Sequence, residues 1–327
     1  MVTEELNTTT MDTTGHEFQW EIIEFPSPFG SGALYDIAII SKFEAWAVGE
    51  IYADSAKPWL PYNAVHWDGS EWELKRIKTN ACGGVDYPPI KAVFAFSSND
   101  VLFAHIDGSI THFDGNNFIN DCSLITQLNG SVNKMWGISR NNLYVVSGNG
   151  FITHYNGSYW YKIGSGTQTT FQDIWGAQDP ETGEWKIICA ASPGYGVEGS
   201  GLFQITENHQ VASIPWLSGR AASSVWFIDP SFIFVCGSGI LRRDPAGRWE
   251  EIGGVEVIPA HTGGIRGVAY NDFFVVSDFG HIGHFNGMNF KVINPNSSIL
   301  YYSCDYKGSV FVAAGGLRNA YILKMWR

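Results

Sequence analysis

The stretch NNLYVVSGNGFITHYNGSYW, residues 141–160, contains the pattern that organises the whole chain. Leu143–Ser147 reads as a short β-branched and aromatic strand, and the Gly-Asn-Gly that follows it is a tight-turn signal. Phe151–Tyr155 is the next strand, and Asn156–Gly157 is a two-residue turn before another strand begins. With the apolar strand Val132–Ile138 upstream, the stretch predicts four short antiparallel strands. One such sheet cannot bury both of its faces, so it must stack against copies of itself.

Copies of this unit recur along the chain. Four turns consist of a histidine, an aromatic residue, Asp or Asn, and glycine: His66–Gly69, His112–Gly115, His154–Gly157 and His284–Gly287. The innermost strand recurs with starts at Tyr35, Ile90, Asn133, Gln172, Ser223, Ile265 and Tyr301. Seven inner strands at intervals of roughly forty residues predict an all-β fold, a seven-bladed β-propeller of four-stranded antiparallel blades.

The last blade is predicted to take its outermost strand from the N-terminus. The seventh unit supplies three strands, and Phe18–Ile23 (FQWEII) has the outer-strand pattern that is also found at Glu71–Leu74 and Arg248–Ile252. We therefore predict that the N-terminal strand completes blade seven and leaves no open sheet edge where the ring meets. Residues 1–16 are then a disordered N-terminal spacer, and residues 17–327 form a single β-propeller domain.

Charge and hydropathy narrow the classes of partner. A net charge of −12 argues against nucleic acid as a partner, since nucleic-acid binding needs a basic surface. No run of eighteen apolar residues is present, so we expect no membrane insertion. Residues 1–16 lack the apolar core of a signal peptide. A Thr-rich spacer ahead of a propeller is also what remains after a leader is removed, which favours a periplasmic, surface or extracellular location. We expect a monomer.

The five cysteines fall into two groups. Cys82 and Cys122 lie in the loops that enter blades two and three, which open on the same face. Adjacent loops can bring these two thiols within reach of a disulfide, and such a bond would fit an oxidising compartment. The alternative is that all five thiols are free. Cys189, Cys236 and Cys304 lie inside strand patterns and are expected to be small buried core residues.

Three long inserts are predicted to project from one side of the disc, which we call the insert-bearing face. They are residues 50–63, 78–89 and 191–199, in loops that enter a blade or join its second and third strands. The candidate binding residues on this face are Tyr52, Trp59, Tyr62, Tyr87, Tyr195 and His261. Long loops on a rigid scaffold commonly carry binding sites. The alternative is that these aromatic residues only anchor their own loops.

A polar position beside the axis is predicted near the start of each inner strand. Alignment of the seven strands places there Asp36, Lys91, Lys134, Asp173, Ser224, Arg266 and Tyr302. Opposite charges then meet between adjacent blades, Asp36 beside Lys91 and Lys134 beside Asp173, as a ring of inter-blade ion pairs. The alternative is that Lys91, Lys134 and Arg266 line the channel mouth as an anion or carboxylate site.

No catalytic or metal-binding signature is found in the sequence. The repeated histidines occupy equivalent positions in four blades, on a wide circle, so we expect them to be structural and predict neither a metal site nor a cofactor. A Gly-x-Ser-x-Gly elbow and a phosphate-binding loop are absent. Carboxylates of the insert-bearing face leave open a carbohydrate-active enzyme, a glycoside hydrolase or lyase, at the axial mouth: Glu50, Asp54, Asp86 and Glu198.

Several units resemble a known group of proteins. They are DIWG at Asp173–Gly176, AWAVG at Ala45–Gly49, HWDGSEW at His66–Trp72 and HYNGSYW at His154–Trp160. Over residues 17–327 the pattern resembles that of uncharacterised bacterial exported propellers. The resemblance implies a seven-bladed ring and a surface or envelope location, and it brings no catalytic residues. A weaker likeness, in blade pattern only, is to propeller lectins and photosystem-assembly-type propellers. The Ser-x-Asp-x-Gly-x-Thr-Trp box of sialidase-like propellers is absent, which disfavours a glycosidase.

The function that we expect is therefore non-catalytic. The chain would be a binding or scaffolding propeller that recognises a glycan or protein partner through the insert-bearing face. The inserts are confined to blades one, two and four, which favours a single site over the repeated sites of a lectin. The alternatives are the carbohydrate-active enzyme and a purely structural module beside other surface domains.

Overall fold

The computed structural model describes residues 14–79, 82–128 and 130–327. Within these ranges the chain is all-β, with 28 strands and short 3₁₀ turns at Ser123–Gln127 and Asp278–Gly280. No helix of the described ranges is long and apolar enough to cross a membrane. The strands are short and separated by turns, as the alternation of apolar runs with Gly, Asn and Asp predicted.

The 28 strands fit seven blades of four antiparallel strands each. Strand β1 (Gln19–Phe25) comes first along the chain. Blades one and two contain β2 (Ala33–Ser41), β3 (Glu44–Ile51), β4 (Tyr62–Trp67), β5 (Trp72–Lys75), β6 (Ile90–Ser97), β7 (Asp100–His105), β8 (Ile110–Phe113) and β9 (Phe118–Asp121). Blades three and four contain β10 (Val132–Ser139), β11 (Asn142–Ser147), β12 (Ile152–Tyr155), β13 (Trp160–Ile163), β14 (Phe171–Gln178), β15 (Trp185–Ala191), β16 (Gly201–Ile205) and β17 (Val211–Ile214).

The remaining strands continue the same order. Blades five and six contain β18 (Ala222–Trp226), β19 (Ile233–Gly237), β20 (Gly239–Arg243), β21 (Trp249–Gly253), β22 (Thr262–Ala269), β23 (Asp272–Ser277), β24 (Ile282–Phe285) and β25 (Phe290–Ile293). The last three strands are β26 (Tyr301–Lys307), β27 (Val310–Gly316) and β28 (Ala320–Trp326). Inner strands of successive blades contact one another, and β26 contacts both β22 and β2. The inner strands therefore surround a common axis.

The first strand lies beside the last one. β1 pairs antiparallel with β28, from Gln19 opposite Trp326 to Phe25 opposite Ala320. Ile22 and Ile23 pack against the buried clusters on the two sides of this sheet. The sequence predicted an outer strand at Phe18–Ile23, two residues short of its C-terminal end.

The hydrophobic core lies between blades. In one cluster, Leu102 and Ala104 of blade two pack with Leu143, Val145 and Trp160 of blade three. Side chains alternate between the faces of a strand, so each sheet presents apolar residues to both neighbours. No single blade can bury these surfaces by itself, because a four-stranded sheet has no second layer of its own.

The repeated histidines hold adjacent strands together. Each lies on the third strand of its blade and faces the first polar residue of the second strand: His66 with Glu44 at 3.6 Å, His112 with Asp100 at 2.9 Å, His154 with Asn142 at 2.7 Å and His284 with Asp272 at 2.9 Å. The ring of His154 also stacks on Tyr144, with the two ring centroids 4.4 Å apart. His154 and His284 form hydrogen bonds to the second strand, whereas His66 and His112 lie beside its carboxylates without a hydrogen bond, so all four side chains pack within their own blades.

Buried neutral histidines predict that stability falls in mild acid. Burial lowers the pKa of both His105 and His154 to about 4, against about 6.5 in an unfolded chain. Between these two pH values the unfolded chain binds more protons than the folded one. The free energy of unfolding is therefore highest above pH 6.5 and decreases as the pH falls towards 4. We expect a loss of about 1–2 kcal/mol per histidine by pH 5, measured as a lower Tm than at pH 7.5. The variant His154→Gln should show a shallower pH dependence; an equally steep profile would contradict this account.

The first described residues contact blade six. Thr14 donates its backbone N–H to the carbonyl of Asn286, at 3.2 Å, and His16 Nδ1 lies 2.8 Å from His284 Nδ1. Residues 1–13 of the predicted spacer lie outside the described residues, so the domain division at residue 16 stays a prediction.

Candidate ligand-binding face and axial channel

The three inserts lie at the same end of their blades. They are the β3–β4 loop (residues 52–61), the β5–β6 loop (residues 76–89) and the β15–β16 loop (residues 192–200), close to the predicted bounds. Antiparallel strands reverse direction at each turn, so loops after second and fourth strands share one face of the disc. A disulfide joins Cys82 in the β5–β6 loop to Cys122, which follows β9, with the two sulfurs 2.05 Å apart.

A β-bulge in each inner strand shifts the residues beside the axis, which we call the polar ring, from the register predicted for them. In every inner strand the pairing skips the second or third residue from the start: Tyr35, Lys91, Asn133, Gln172, Ser223, Gly263 and Tyr302. The equivalent residues after the bulge are Asp36, Ala92, Lys134, Asp173, Ser224, Gly264 and Ser303. Lys91 and Tyr302 are therefore one position earlier than predicted, and Arg266 is two positions later. Each bulge inserts one unpaired residue, whose side chain does not follow the alternation of side chains between the two faces of the sheet.

The ion pairs of the ring differ from the predicted ones. Lys134 of blade three binds Asp36 of blade one and also Ser303 Oγ, at 3.3 Å. Arg266 of blade six binds Asp173 of blade four through two nitrogens, at 2.9 and 3.0 Å. Each pair thus skips one blade and does not join adjacent blades. Longer side chains at the axis can reach past a neighbour, which the sequence spacing did not reveal.

The two ring carboxylates also join adjacent blades. Asp36 accepts hydrogen bonds from the N–H of Ile37, at 2.9 Å, and from that of Val93 in the next blade, at 3.0 Å. Asp173 makes the same contacts, to Ile174 at 2.9 Å and to Val225 in the next blade at 3.2 Å. We call this arrangement the inter-blade carboxylate contact.

The charges of Lys134 and Arg266 are already balanced. Burial acts to raise the pKa of Asp173, but the charge and hydrogen bonds of Arg266 outweigh it and hold that pKa below its usual value. A cation that is neutralised by a buried carboxylate offers little to an anionic ligand. The layer of ion pairs lies between two cavities on the axis, one at each end.

Tyrosines and one glutamate line the axial mouth of the insert-bearing face. Tyr35 and Tyr52 donate their hydroxyls to the two oxygens of Glu50, at 2.5 and 3.0 Å. Lys91 Nζ lies 3.4 Å from the centroid of the Tyr35 ring, as a cation–π contact. Burial and the charge of Glu50 raise the pKa of Tyr52 to about 12, so its hydroxyl remains a donor at neutral pH.

A second cluster lies in the β15–β16 loop and blade six. The rings of Tyr195 and His261 meet edge to face, with centroids 5.0 Å apart, and His261 Nε2 lies 3.0 Å from Ser223 Oγ. Burial lowers the pKa of His261, which is therefore neutral at pH 7. Burial also raises the pKa of the neighbouring Asp278. Tyr195 itself is 71% exposed.

The other candidates do not join these clusters. Trp59 is 73% exposed at the tip of its loop, and Tyr87 is half-buried. Tyr62 packs beneath the Arg76 guanidinium, 4.0 Å from the ring centroid, and against the core, so it anchors its loop. Sequence reasoning missed Tyr35 and Asp278, because neither lies in an insert. The unusual feature of the turn Asp278–Gly280 is its backbone, because Phe279 has a φ of 56°, and the sequence does not reveal this conformation.

More exposed apolar side chains lie on the insert-bearing face than on the opposite face. Within the described ranges, ten of the eighteen large apolar residues that are exposed lie in its loops: Phe29, Trp59, Val85, Ile106, Tyr195, Val197, Leu217, Val255, Phe279 and Leu317. The turns of the opposite face carry four: Phe43, Tyr159, Ile228 and Met288. The loops of this face are also the longer ones, so the larger number follows their length, and long loops on a rigid scaffold are where binding sites commonly lie.

Comparison with known proteins gives matches in structure alone. A scan against protein-family models and a sequence search of curated proteins gave no match. The WD40 β-propeller domain of Doa1 superposes with a TM-score of 0.66 at 14% identity, covering 95% of this chain and 98% of that one. The fold is that of a β-propeller.

Two further propeller-like neighbours are bound to ligands in their own structures. YCF48 bound to D1 peptide matches with a TM-score of 0.70 and 14% identity, over 98% of this chain and 100% of that one. A catalytically inactive virginiamycin B lyase from Staphylococcus aureus with quinupristin matches with a TM-score of 0.69 and 10% identity, over 94% and 100%. At these sequence identities the similarity shows the propeller fold alone and gives no information about activity.

Proposed function

We propose that this propeller is a non-catalytic binding or scaffolding protein that recognises an apolar segment of a partner protein through the insert-bearing face. The observation that carries the proposal is the set of ten exposed apolar side chains, Trp59 and Tyr195 among them, in the long loops of that face. Aromatic anchors surrounded by smaller apolar contacts are typical of the centre of a protein interface. Trp59 and Tyr195 are the two largest exposed side chains of the inserts.

The chemistry of the face favours a protein over a glycan. A glycan is held by aromatic platforms together with many hydrogen-bonding groups, whereas the loops here add Val85, Val197, Val255 and Leu317 to the aromatic residues. Aliphatic side chains gain free energy by burial against other apolar groups and gain little from hydroxyl-rich sugars. An apolar peptide segment therefore matches this surface better.

Three of the four carboxylates that left an enzyme open have local partners. Both oxygens of Glu50 accept tyrosine hydroxyls, Asp54 binds Arg76 at 2.9 Å, and Asp86 lies 3.5 Å from Lys78. A glycosidase needs two carboxylates that face one substrate atom from opposite sides. These contacts support loop-stabilising roles, so we propose binding without hydrolysis.

The proposal includes two features of the scaffold. We infer that β1 closes a seven-bladed ring by completing the last blade, and that residues 17–327 act as one rigid unit. We also infer an oxidising location outside the cytosol, because the Cys82–Cys122 bond ties the insert of blade two in place.

A peptide-display selection tests the proposed function. Random peptides are selected on the immobilised protein, and the affinity of the enriched peptides is then measured for the double variant Trp59→Ala/Tyr195→Ala. We expect enriched sequences to be apolar and to bind the variant roughly 30-fold more weakly, the effect of losing one interface hot spot.

The matched control is Phe43→Ala/Met288→Ala, which removes two exposed apolar side chains from the opposite face. This control should bind the peptides as the wild type does. Enrichment of no peptide, or equal loss in both double variants, would overturn the proposal. Binding to a glycan array that requires Trp59 and Tyr195, without peptide binding, would replace the protein partner by a glycan.

A further inference from the structure

The axial end opposite the inserts holds a cavity that the proposed function does not use. It has a volume of about 290 Å³, and its lining comes from the later residues of the inner strands. Its walls are mainly apolar and aromatic, including Ile39, Phe94, Trp136 and Trp175. Small-molecule sites usually measure ~300–1,000 Å³. The cavity therefore fits a ligand with about one ring.

One layer of side chains defines the character of this cavity. Two residues beyond the ring position of Asp36, the seven strands carry Ala38, Phe94, Trp136, Trp175, Trp226, Arg266 and Asp305. Five of these positions are apolar or aromatic, and all of the five except the buried Trp226 line the cavity. Arg266 is engaged by Asp173, which leaves Asp305 as the carboxylate of this layer that faces the cavity.

Asp305 repeats the inter-blade carboxylate contact without a counter-ion. It accepts a hydrogen bond from its neighbour Tyr306, at 2.8 Å, and another from Ile39 of the next blade, at 2.7 Å. Asp36 and Asp173 make the same two contacts and each also binds a cation. Within the described residues Asp305 has no ion pair, and burial raises its pKa although Arg266 and Lys134 act against that.

Asp305 is the axial carboxylate that has no paired cation among the described residues. Asp36 is paired with the half-buried Lys134 and Asp173 with the buried Arg266, whereas Lys307, which lines the same cavity, is exposed and forms no ion pair with Asp305. A carboxylate in an apolar site is stabilised by an opposite charge nearby. The ring of Trp175 already carries the Arg266 guanidinium, 4.7 Å from its centroid, while the rings of Trp136 and Phe94 add aromatic surface of the kind that attracts a cation.

We propose that this cavity binds a small organic cation, a primary ammonium attached to an aromatic or apolar body. The ammonium pairs with Asp305 and supplies the positive charge that Lys134 and Arg266 supply to the other two carboxylates. The apolar body packs against the aromatic wall. This site is separate from the insert-bearing face and does not depend on the function proposed for it.

Three probes of equal size and different charge test the site on the wild-type protein. Phenethylamine is cationic, 2-phenylethanol is neutral and phenylacetate is anionic at pH 7.5, and binding of each is measured by calorimetry and ligand-observed NMR. We expect phenethylamine to bind at least tenfold more tightly than either of the others. Equal affinities, a preference for the anion, or no binding of any probe would overturn the proposal.

Two variants place the probe in the cavity. Asp305→Asn removes the charge and should reduce the affinity for phenethylamine at least tenfold. Lys307→Gln removes a charge of opposite sign from the same cavity and should leave that affinity unchanged or increase it. A loss in Lys307→Gln but not in Asp305→Asn would contradict the assignment. If Asp305→Asn does not fold, the wild-type comparison of the three probes decides alone.

Discussion

Removal of residues 1–25 is expected to lower the Tm by roughly 10 °C or more. The deletion takes away β1, which pairs with β28 from Gln19 to Phe25, and exposes the unpaired edge of β28. It also removes Phe25, which is 8% exposed, and the contacts of Ile22 and Ile23 with two core clusters. Loss of one buried aromatic side chain alone costs about 3–5 kcal/mol. Calorimetric unfolding of the full-length and shortened chains gives the measurement.

The control is a chain that lacks only residues 1–13. This deletion leaves in place both β1 and the contacts that Thr14 and His16, just before it, make with blade six. It should unfold close to the full-length protein. A similar Tm for all three chains would contradict the proposal that β1 closes the ring, and an equal drop for both deletions would place the stabilising contacts before residue 14.

Replacement of Arg266 by leucine is expected to lower the free energy of unfolding by about 3–5 kcal/mol. Arg266 and Asp173 have side chains that are 6% and 5% exposed, and the substitution leaves a buried carboxylate without its cation. The pKa of Asp173, which Arg266 holds below its ordinary value, should then rise. Urea unfolding measures the loss. The variant should regain part of its stability in acid, where Asp173 takes up a proton.

The matched control is Arg242→Leu, the same substitution at an exposed ion pair. Arg242 lies 2.5 Å from Glu250, whose side chain is 60% exposed, and such pairs contribute about 0–1 kcal/mol. Equal losses for the two variants would show that burial does not set the strength of the axial pair. The account requires the Arg266 variant to lose several times more.

Sequence periodicity predicted the blades because each strand repeats the same physical requirement. A strand that packs between two neighbours needs apolar residues on both faces, and each turn needs Gly, Asn or Asp in a tight conformation. The turn His154–Gly157 shows this directly, since Gly157 has a φ of 90°. The pairing of β1 with β28 followed from the pattern at Phe18–Ile23. These are local rules, and they are legible in one sequence.

The register of the axial ring was not predictable in the same way. The bulge at Lys91 adds one residue without changing the apolar pattern, so the sequence pattern placed Lys91 beside Asp36. The pairs of Lys134 and Arg266, each of which skips one blade, depend on side-chain length and on the curvature of the ring. Trp175 belongs to an inner strand, yet it is half-buried and lines a cavity, which the apolar pattern alone did not indicate.

The candidate binding face was only partly visible in the sequence. Loop length identified the inserts with Trp59 and Tyr195, because long loops interrupt the repeat. The mouth residues Tyr35 and Glu50 lie in regular strands, and only the fold brings their side chains to the axis. The exposure of Phe279 and Val255 depends on the conformation of the loops within and before blade six, which the amino-acid composition does not specify.

Hydrogen exchange of the protein with a display-selected peptide tests the central claim, that the insert-bearing face is the partner surface, most directly. The account predicts slower amide exchange in residues 52–61 and 192–200 when the peptide is bound, with no change in the turns that carry Phe43 and Met288. Protection confined to those opposite turns, or to the outer strands of the blades, would contradict it.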